Sequence, residues 1–252
     1  MKRHLYAAIG SLSLLTGACA AVPDLIQPFD HPDQPLEAID RSGGGRNLKL
    51  TADSTISGAQ PRFGTGNLLI RAGVRAATAG WYLPLKSMPE FSGEIEAMTI
   101  TFWVRPEQSG AIPFIRRSQF SGEAGVFGFQ LDRYDSMVFS VGKERVKSPP
   151  TGLQPGEWTH LAVTFDRGTV VFYVNGELTA TESLRAEPIA ASSIEGAFSA
   201  FLNAPVGLQV DDFGFFGSRA LNGEAMKKIC TDGLEAFLGN ASAKAAKRPQ
   251  KR

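Results

Sequence analysis

Two cysteines occur in 252 residues, Cys19 and Cys230. Cys19 falls in an N-terminal processing segment, so no internal disulfide is expected, and Cys230 reads as a small hydrophobe that packs or half-packs. Histidine is nearly as scarce. Without the processing segment only His31 and His160 remain, far apart in the chain. That leaves little material for a histidine-rich metal site or a Ser-His-Asp triad. Net charge is small too, at +1, but it is unevenly spread. Lys2 and Arg3 at one end, and Lys244, Lys247, Arg248, Lys251 and Arg252 at the other, have no acidic neighbours. Setting those seven aside leaves −6 for residues 21–240. A mildly acidic body repels phosphates, which argues against nucleic acid as a partner and makes the basic tail (239–252) a solvated end.

What is present begins with an export signal. Residues 1–20 read MKRHLYAAIGSLSLLTGACA: a basic start, an apolar run from Leu5 to Leu15, then small residues. The run is too short to span a bilayer. Two endings compete. Ala18-Cys19-Ala20 offers the small residues of ordinary signal-peptidase cleavage, with a mature start at Ala21. Thr16-Gly17-Ala18-Cys19 is similar to a lipobox and would make Cys19 a lipidation site, although Leu15 falls one place too early. Residues 21–36 hold Pro23, Pro28, Pro32 and Pro35, which predicts a Pro-rich linker or a strand-edge lead-in.

The remainder is punctuated for strands. Residues 98–105, MTITFWVR, alternate with Met98, Ile100, Phe102 and Val104 on one face and Thr99, Thr101, Trp103 and Arg105 on the other, before Pro106 closes the run. Shorter strands are expected at 47–51, 62–73, 125–131 and 137–141. A meander is expected over 157–183, with turns at Asp166-Arg167-Gly168 and Asn175-Gly176. The run 206–216 predicts a last long strand. After it LNGEAMKKIC predicts a short helix capped by Asn222, with Met226 and Ile229 on one side, and a second helical turn through Leu234, Phe237 and Leu238. With 43% apolar residues the core needs no cross-links, so the expected fold is all-β: one domain over 37–238, a two-sheet antiparallel sandwich with a short C-terminal helix.

The order of these signals resembles the laminin G-like jelly rolls of the concanavalin A-like lectin/glucanase superfamily. The blocks that carry the resemblance are Phe102-Trp103-Val104, Glu157-Trp158-Thr159-His160, Tyr173-Val174-Asn175-Gly176, Val210-Asp211-Asp212 and Arg219-Ala220-Leu221, with Asp40-Arg41-Ser42-Gly43 and Arg62-Phe63-Gly64 at the opening. The resemblance implies a jelly roll that binds glycans or proteins, or serves as an accessory domain of a secreted enzyme. It also bears on register. A three-residue turn ending at Gly168 would turn Tyr173 inward, whereas the family pattern turns Phe172 and Val174 inward and Tyr173 outward; the family pattern is adopted here.

Candidate sites are then few. Glucanases of the superfamily use strand carboxylates spaced Glu-x-Asp-x-Glu, and Glu94-Ile95-Glu96 is the nearest match, with two acids and no third. Asp211 and Asp212 are adjacent, so on a regular strand they point to opposite faces; the resemblance implies that one of them holds backbone or loop groups. Calcium is implied as the superfamily's commonest metal, and Asp40 with Asp212 is the candidate pair. The loop Asp132-Arg133-Tyr134-Asp135-Ser136 combines an aromatic, a cation and two acids, as sugar-binding loops do, against the plainer reading of a polar hairpin turn. Arg116 and Arg117 stand as further ligand-binding candidates, against a solvated loop. Trp103 and Trp158 occupy positions expected to be architectural, and His160 is expected to pack rather than act. The resulting expectation is an exported, non-catalytic binding domain whose partner is a glycan or an envelope or extracellular protein. Membrane contact would come only through a lipid on Cys19. A structural accessory domain is the alternative, and a glucanase-like enzyme ranks last.

Overall fold

A computed structural model describes residues 24–51, 53–71, 81–118, 125–185, 188–193, 195, 197–201 and 206–239. The expected export segment with Cys19, and residues 240–252 of the basic tail, lie outside the described residues. The strands follow in chain order as β1 (Leu25–Gln27), β2 (Glu37–Ala38), β3 (Leu48–Lys49), β4 (Ser54–Ser57), β5 (Asn67–Ile70) and β6 (Trp81–Pro84). Then come β7 (Ala97–Pro106), β8 (Ile112–Ser118), β9 (Gly125–Leu131), β10 (Ser136–Val141) and β11 (Glu144–Pro150). The last are β12 (Thr159–Asp166), β13 (Thr169–Val174), β14 (Glu177–Ser183), β15 (Ala197–Ala200) and β16 (Leu208–Phe216), followed by helix α1 (Gly223–Asp232).

Two antiparallel sheets stack. The larger has eight strands in the order β14-β13-β12-β7-β16-β5-β4, with β1 also paired to β16; the smaller has six, β11-β10-β9-β8-β15-β6. The alternation read from residues 98–105 is realised in β7, whose Met98, Ile100, Phe102 and Val104 are fully buried in the interlayer core. Phenylalanine fills much of the space between the layers. Phe102 meets Phe114, Phe129, Phe201 and Phe213 at centroid distances of 4.8, 6.0, 5.6 and 6.4 Å, within the range of favourable ring pairs.

Both turns of the meander have two central residues. Arg167 and Gly168 take φ of 43° and 85°, and Asn175 and Gly176 take 50° and 79°, so both hairpins use the turns whose twist matches the strands. Asp166 therefore pairs with Thr169 and Val163 with Phe172. The three-residue alternative is overturned, and Phe172 joins the interlayer core while Tyr173 faces out.

Facing out does not expose Tyr173. Helix α1 lies across the outer face of the larger sheet and buries Tyr173 with Ile26, Ala162, Phe216, Met226, Ile229 and Leu234. Asn222 caps the helix, its side chain accepting from the Ala225 amide at 3.0 Å. A second helical turn covers residues 234–239. At Gly176 an added Cβ would stand 3.1 Å from both Cys230 and Lys227, so the glycine also lets the helix approach the hairpin.

Of the two readings of the Pro-rich stretch 21–36, a linker or a strand lead-in, the described part takes the second: β1 lies within it, its three residues are buried, and it pairs with Phe213–Phe215 of β16. The prolines flank that strand and leave its amides free to pair. The expectation that Asp211 and Asp212 point to opposite faces is corrected. Asp212 takes φ of 48° at a bulge, the register with β7 shifts between Asp211 and Gly214, and strict alternation fails. Asp211 accepts the amides of Arg62 at 2.7 Å and Phe63 at 3.0 Å, while Asp212 accepts the Leu234 amide at 2.8 Å. Both carboxylates thus hold backbone of segments that lie on the outer face. Asp211→Ala leaves buried donors unpaired and is expected to cost about 3 kcal/mol, measured as a drop in the urea midpoint with the slope unchanged.

Candidate functional site

The outer face of the larger sheet continues past the helix to one end, where Leu69, Gln209 and Arg105 face each other across β5, β16 and β7. Loops rise around this row and close a cleft of about 230 Å³, lined also by Gln60, Pro106, Glu107 and Gly156. Local backbone makes the walls. Gln60 and Gly156 take φ of 55° and 78°. An added Cβ on Gly207 would stand 2.2 Å from the Glu107 carboxylate, so only glycine lets that side chain lie where it does.

Arg105 organises the cleft. Its Nε donates to the Gly156 carbonyl at 2.6 Å, and one Nη donates to the side-chain oxygens of Gln209 at 3.0 Å and of Gln60. All three acceptors are neutral, so they orient the guanidinium without cancelling its charge. Gln209 in turn donates to the Ala59 carbonyl at 3.3 Å, and the Trp158 indole donates to the Gln60 carbonyl at 3.2 Å. The cleft therefore presents a fixed planar cation, two fixed amides and one exposed carboxylate beside Leu69 and Pro106. Such a set hydrogen-bonds hydroxyls on an apolar-sided ring. Its lining includes one carboxylate, Glu107, whereas glycoside hydrolysis of the usual kind needs two.

The residues singled out from sequence are dispersed. Arg133 and Tyr134 sit at the tip of the β9–β10 hairpin; Tyr134 is 63% exposed, and Arg133 lies 4.7 Å from its ring centroid. Asp135 is not free for a ligand, because its carboxylate accepts from the Thr151 hydroxyl at 2.6 Å and the Gly152 amide at 2.7 Å. Arg116 and Arg117 are neighbours on β8, not in a loop. Arg116 is exposed, but Arg117 is 1% exposed and donates to the carbonyls of Phe91, Gly93 and Ala190. Burial lowers its pKa to about 10. As a ligand contact Arg117 is a correction: it ties loops together inside the sandwich. Glu94 and Glu96 are exposed, and Glu96 pairs with Arg167 at 3.2 Å.

Both carboxylates of the calcium pair are occupied by donors of the chain itself. One oxygen of Asp40 accepts the Ile26 and Ser42 amides, and the other accepts the Ser42 hydroxyl and the Arg46 amide, which fills the carboxylate. Asp212 is engaged elsewhere, with Leu234. Among the described residues no group of three or more His, Cys, Asp or Glu could hold a metal.

His160 and Trp103 do pack. His160 is fully buried 5.4 Å from the Trp103 ring, and its Nε2 meets the Thr101 hydroxyl at 2.7 Å. Arg62 also lies over Trp103, with its guanidinium carbon 4.3 Å from the ring centroid. Desolvation lowers the His160 pKa to about 3 and raises Asp211 to about 8 and Asp212 to about 7.

The cleft's residues escaped sequence reading. Arg105 could have been found, since alternation placed it on the outer face with Trp103, but the loops that bring Gln60, Glu107 and Gly156 to it have no local signature.

Residues 78–198 match the family Laminin_G_3, of the concanavalin A-like lectin/glucanases superfamily. This segment is laminin G-like. Around that laminin G-like segment, the jelly roll is shared with solved toxin domains. The receptor-binding domain of botulinum neurotoxin type G aligns with TM-score 0.57 and 16% identity, covering 83% of this chain and 50% of that one. A structure of botulinum neurotoxin type C, whose cell entry is described as dependent upon interaction with two ganglioside molecules, aligns with TM-score 0.58 and 13% identity, over 81% and 52% of the two chains. The binding domain of botulinum neurotoxin DC, solved in complex with rat synaptotagmin II, aligns with TM-score 0.57 and 12% identity, over 82% and 53%. The chain thus aligns with about half the length of these structures, at identities that speak to fold alone. No curated protein matches it in sequence.

Two measurements follow from the buried groups. Between pH 8 and about 4 the raised carboxyls make the folded state the better proton binder, so they add stability as pH falls. His160 opposes them below about 6.5, where the unfolded chain protonates first. Urea titrations should therefore show His160→Gln gaining stability more steeply than the parent on acidification from pH 6.5 to 4. With Asp40 filled by its own donors, a thermal melt should be unchanged by calcium or by EDTA.

Proposed function

We propose that this is an exported, non-catalytic glycan-binding domain whose ligand sits in the Arg105 cleft. The observation that carries the reading is the cleft itself, where Arg105, Gln60 and Gln209 are held in fixed orientation and Glu107 is the carboxylate in the lining. Preorganised planar donors and acceptors raise affinity by lowering the ordering cost of binding. Similarity to solved receptor-binding domains supports a binding role. Export is proposed from the first twenty residues, with cleavage before Ala21 or lipidation of Cys19 as its two forms, and mass spectrometry of the mature N-terminus separates them.

A protein partner from the envelope or extracellular space is the second reading. The exposed Tyr134 at the β9–β10 tip, stacked with Arg133, favours it, because aromatic and arginine side chains dominate protein contacts.

A glycan array followed by calorimetry tests the first. Capture of a neutral oligosaccharide should weaken about tenfold in Gln209→Ala and in Glu107→Ala, each of which removes a hydrogen bond to a hydroxyl. Binding of no glycan, with a protein captured through Arg133 and Tyr134, would favour the second reading instead.

A further inference from the structure

The smaller sheet turns its outer face to solvent, and the registry of its strands builds a row there that no single strand reveals. Arg145 of β11 is paired with Ser140 of β10, Ser140 with Gly128 of β9, Gly128 with Arg116 of β8, and Arg116 with Ser199 of β15. Directly opposed residues point to the same face. Arg145 and Arg116 are exposed, and Ser140, Gly128 and Ser199 between and beside them are half-buried. The row is thus a trough with a hydroxyl-lined floor and an arginine at each side. Gly128 keeps it open: a Cβ there would stand 3.2 Å from the Ser140 hydroxyl oxygen.

The face carries positive charge without matching acids. Lys147 adjoins it on β11, and Asp132 is the acid beside it, already paired with Lys147 at 2.8 Å. Among the described residues neither Arg116 nor Arg145 has an ion-pair partner. In a body of net −6 between residues 21 and 240, a cationic strip is a local exception. Three strand spacings separate the two arginines, about 14 Å. Each guanidinium can grip a carboxylate with two parallel hydrogen bonds.

We propose that this face binds an extended acidic polysaccharide laid across the strands, with Arg116 and Arg145 holding two of its carboxylates and Ser140 and Ser199 meeting its hydroxyls over Gly128. A membrane surface is the poorer fit, because Val138 on this face is 5% exposed and offers no apolar side chain for a bilayer. The site is separate from the Arg105 cleft and stands on the other sheet.

The test is calorimetry of the mature protein with polygalacturonate, uncharged dextran, single-stranded DNA and phosphatidylserine vesicles. Polygalacturonate should bind and dextran should not, with affinity falling as salt rises. Arg116→Gln and Arg145→Gln should each weaken binding about tenfold, while the lysine variants retain part of it. Gln209→Ala should leave it unchanged, which separates this site from the cleft. The proposal is overturned if polygalacturonate does not bind, if both glutamine variants bind as the parent does, if Gln209→Ala abolishes binding, or if DNA or vesicles bind equally well.

Discussion

The bulge at Asp211 and Asp212 is the constraint on which the outer face depends. Along its edge β16 changes partner there, pairing with β5 over Leu208–Val210 and with β1 over Phe213–Phe215. A regular strand would send one of the two aspartates into the phenylalanine core. The positive φ of Asp212 avoids that and turns both carboxylates toward loops. One holds the amides of Arg62 and Phe63, whose loop also contains Gln60 of the cleft; the other holds Leu234, which begins the turn packed over Gly214. Two buried acids are costly unless donors meet them, and here the donors are backbone that would otherwise be unpaired.

Three arginines, one on β7 of the larger sheet and two on β8 of the smaller, show how burial sets the role of one side chain. Arg117 faces inward and spends its donors on three carbonyls, serving the fold. Arg105 faces outward in a cleft and is oriented by neutral oxygens, so its charge remains available. Arg116, one residue from Arg117, faces outward on an open sheet. Sequence adjacency places Arg116 and Arg117 on opposite faces, because successive side chains of a strand alternate.

Much of the fold was legible in the sequence. The alternation of 98–105, the Asn175-Gly176 turn and the Asn222 cap are local, and each was realised as read. Strands β2, β4, β6, β8, β11 and β15 were missed. β8 carries Pro113 and two adjacent arginines, a poor strand by composition, and it is a strand because the sheet pairs it on both sides. The β12–β13 turn was ambiguous by itself, and the family pattern chose the register that the pairing then showed.

The sequence alone determined the class of fold, because periodicity of two and turn residues with positive φ are properties of short segments. It also showed how scarce histidine and cysteine are, since residue types can be counted. Only the tertiary structure decided the binding surfaces. The Arg105 cleft joins residues from 60 to 209, and the basic row joins one residue from each of five strands. Which residues stand opposite is fixed by registry between strands distant in the chain, a property that no segment carries by itself.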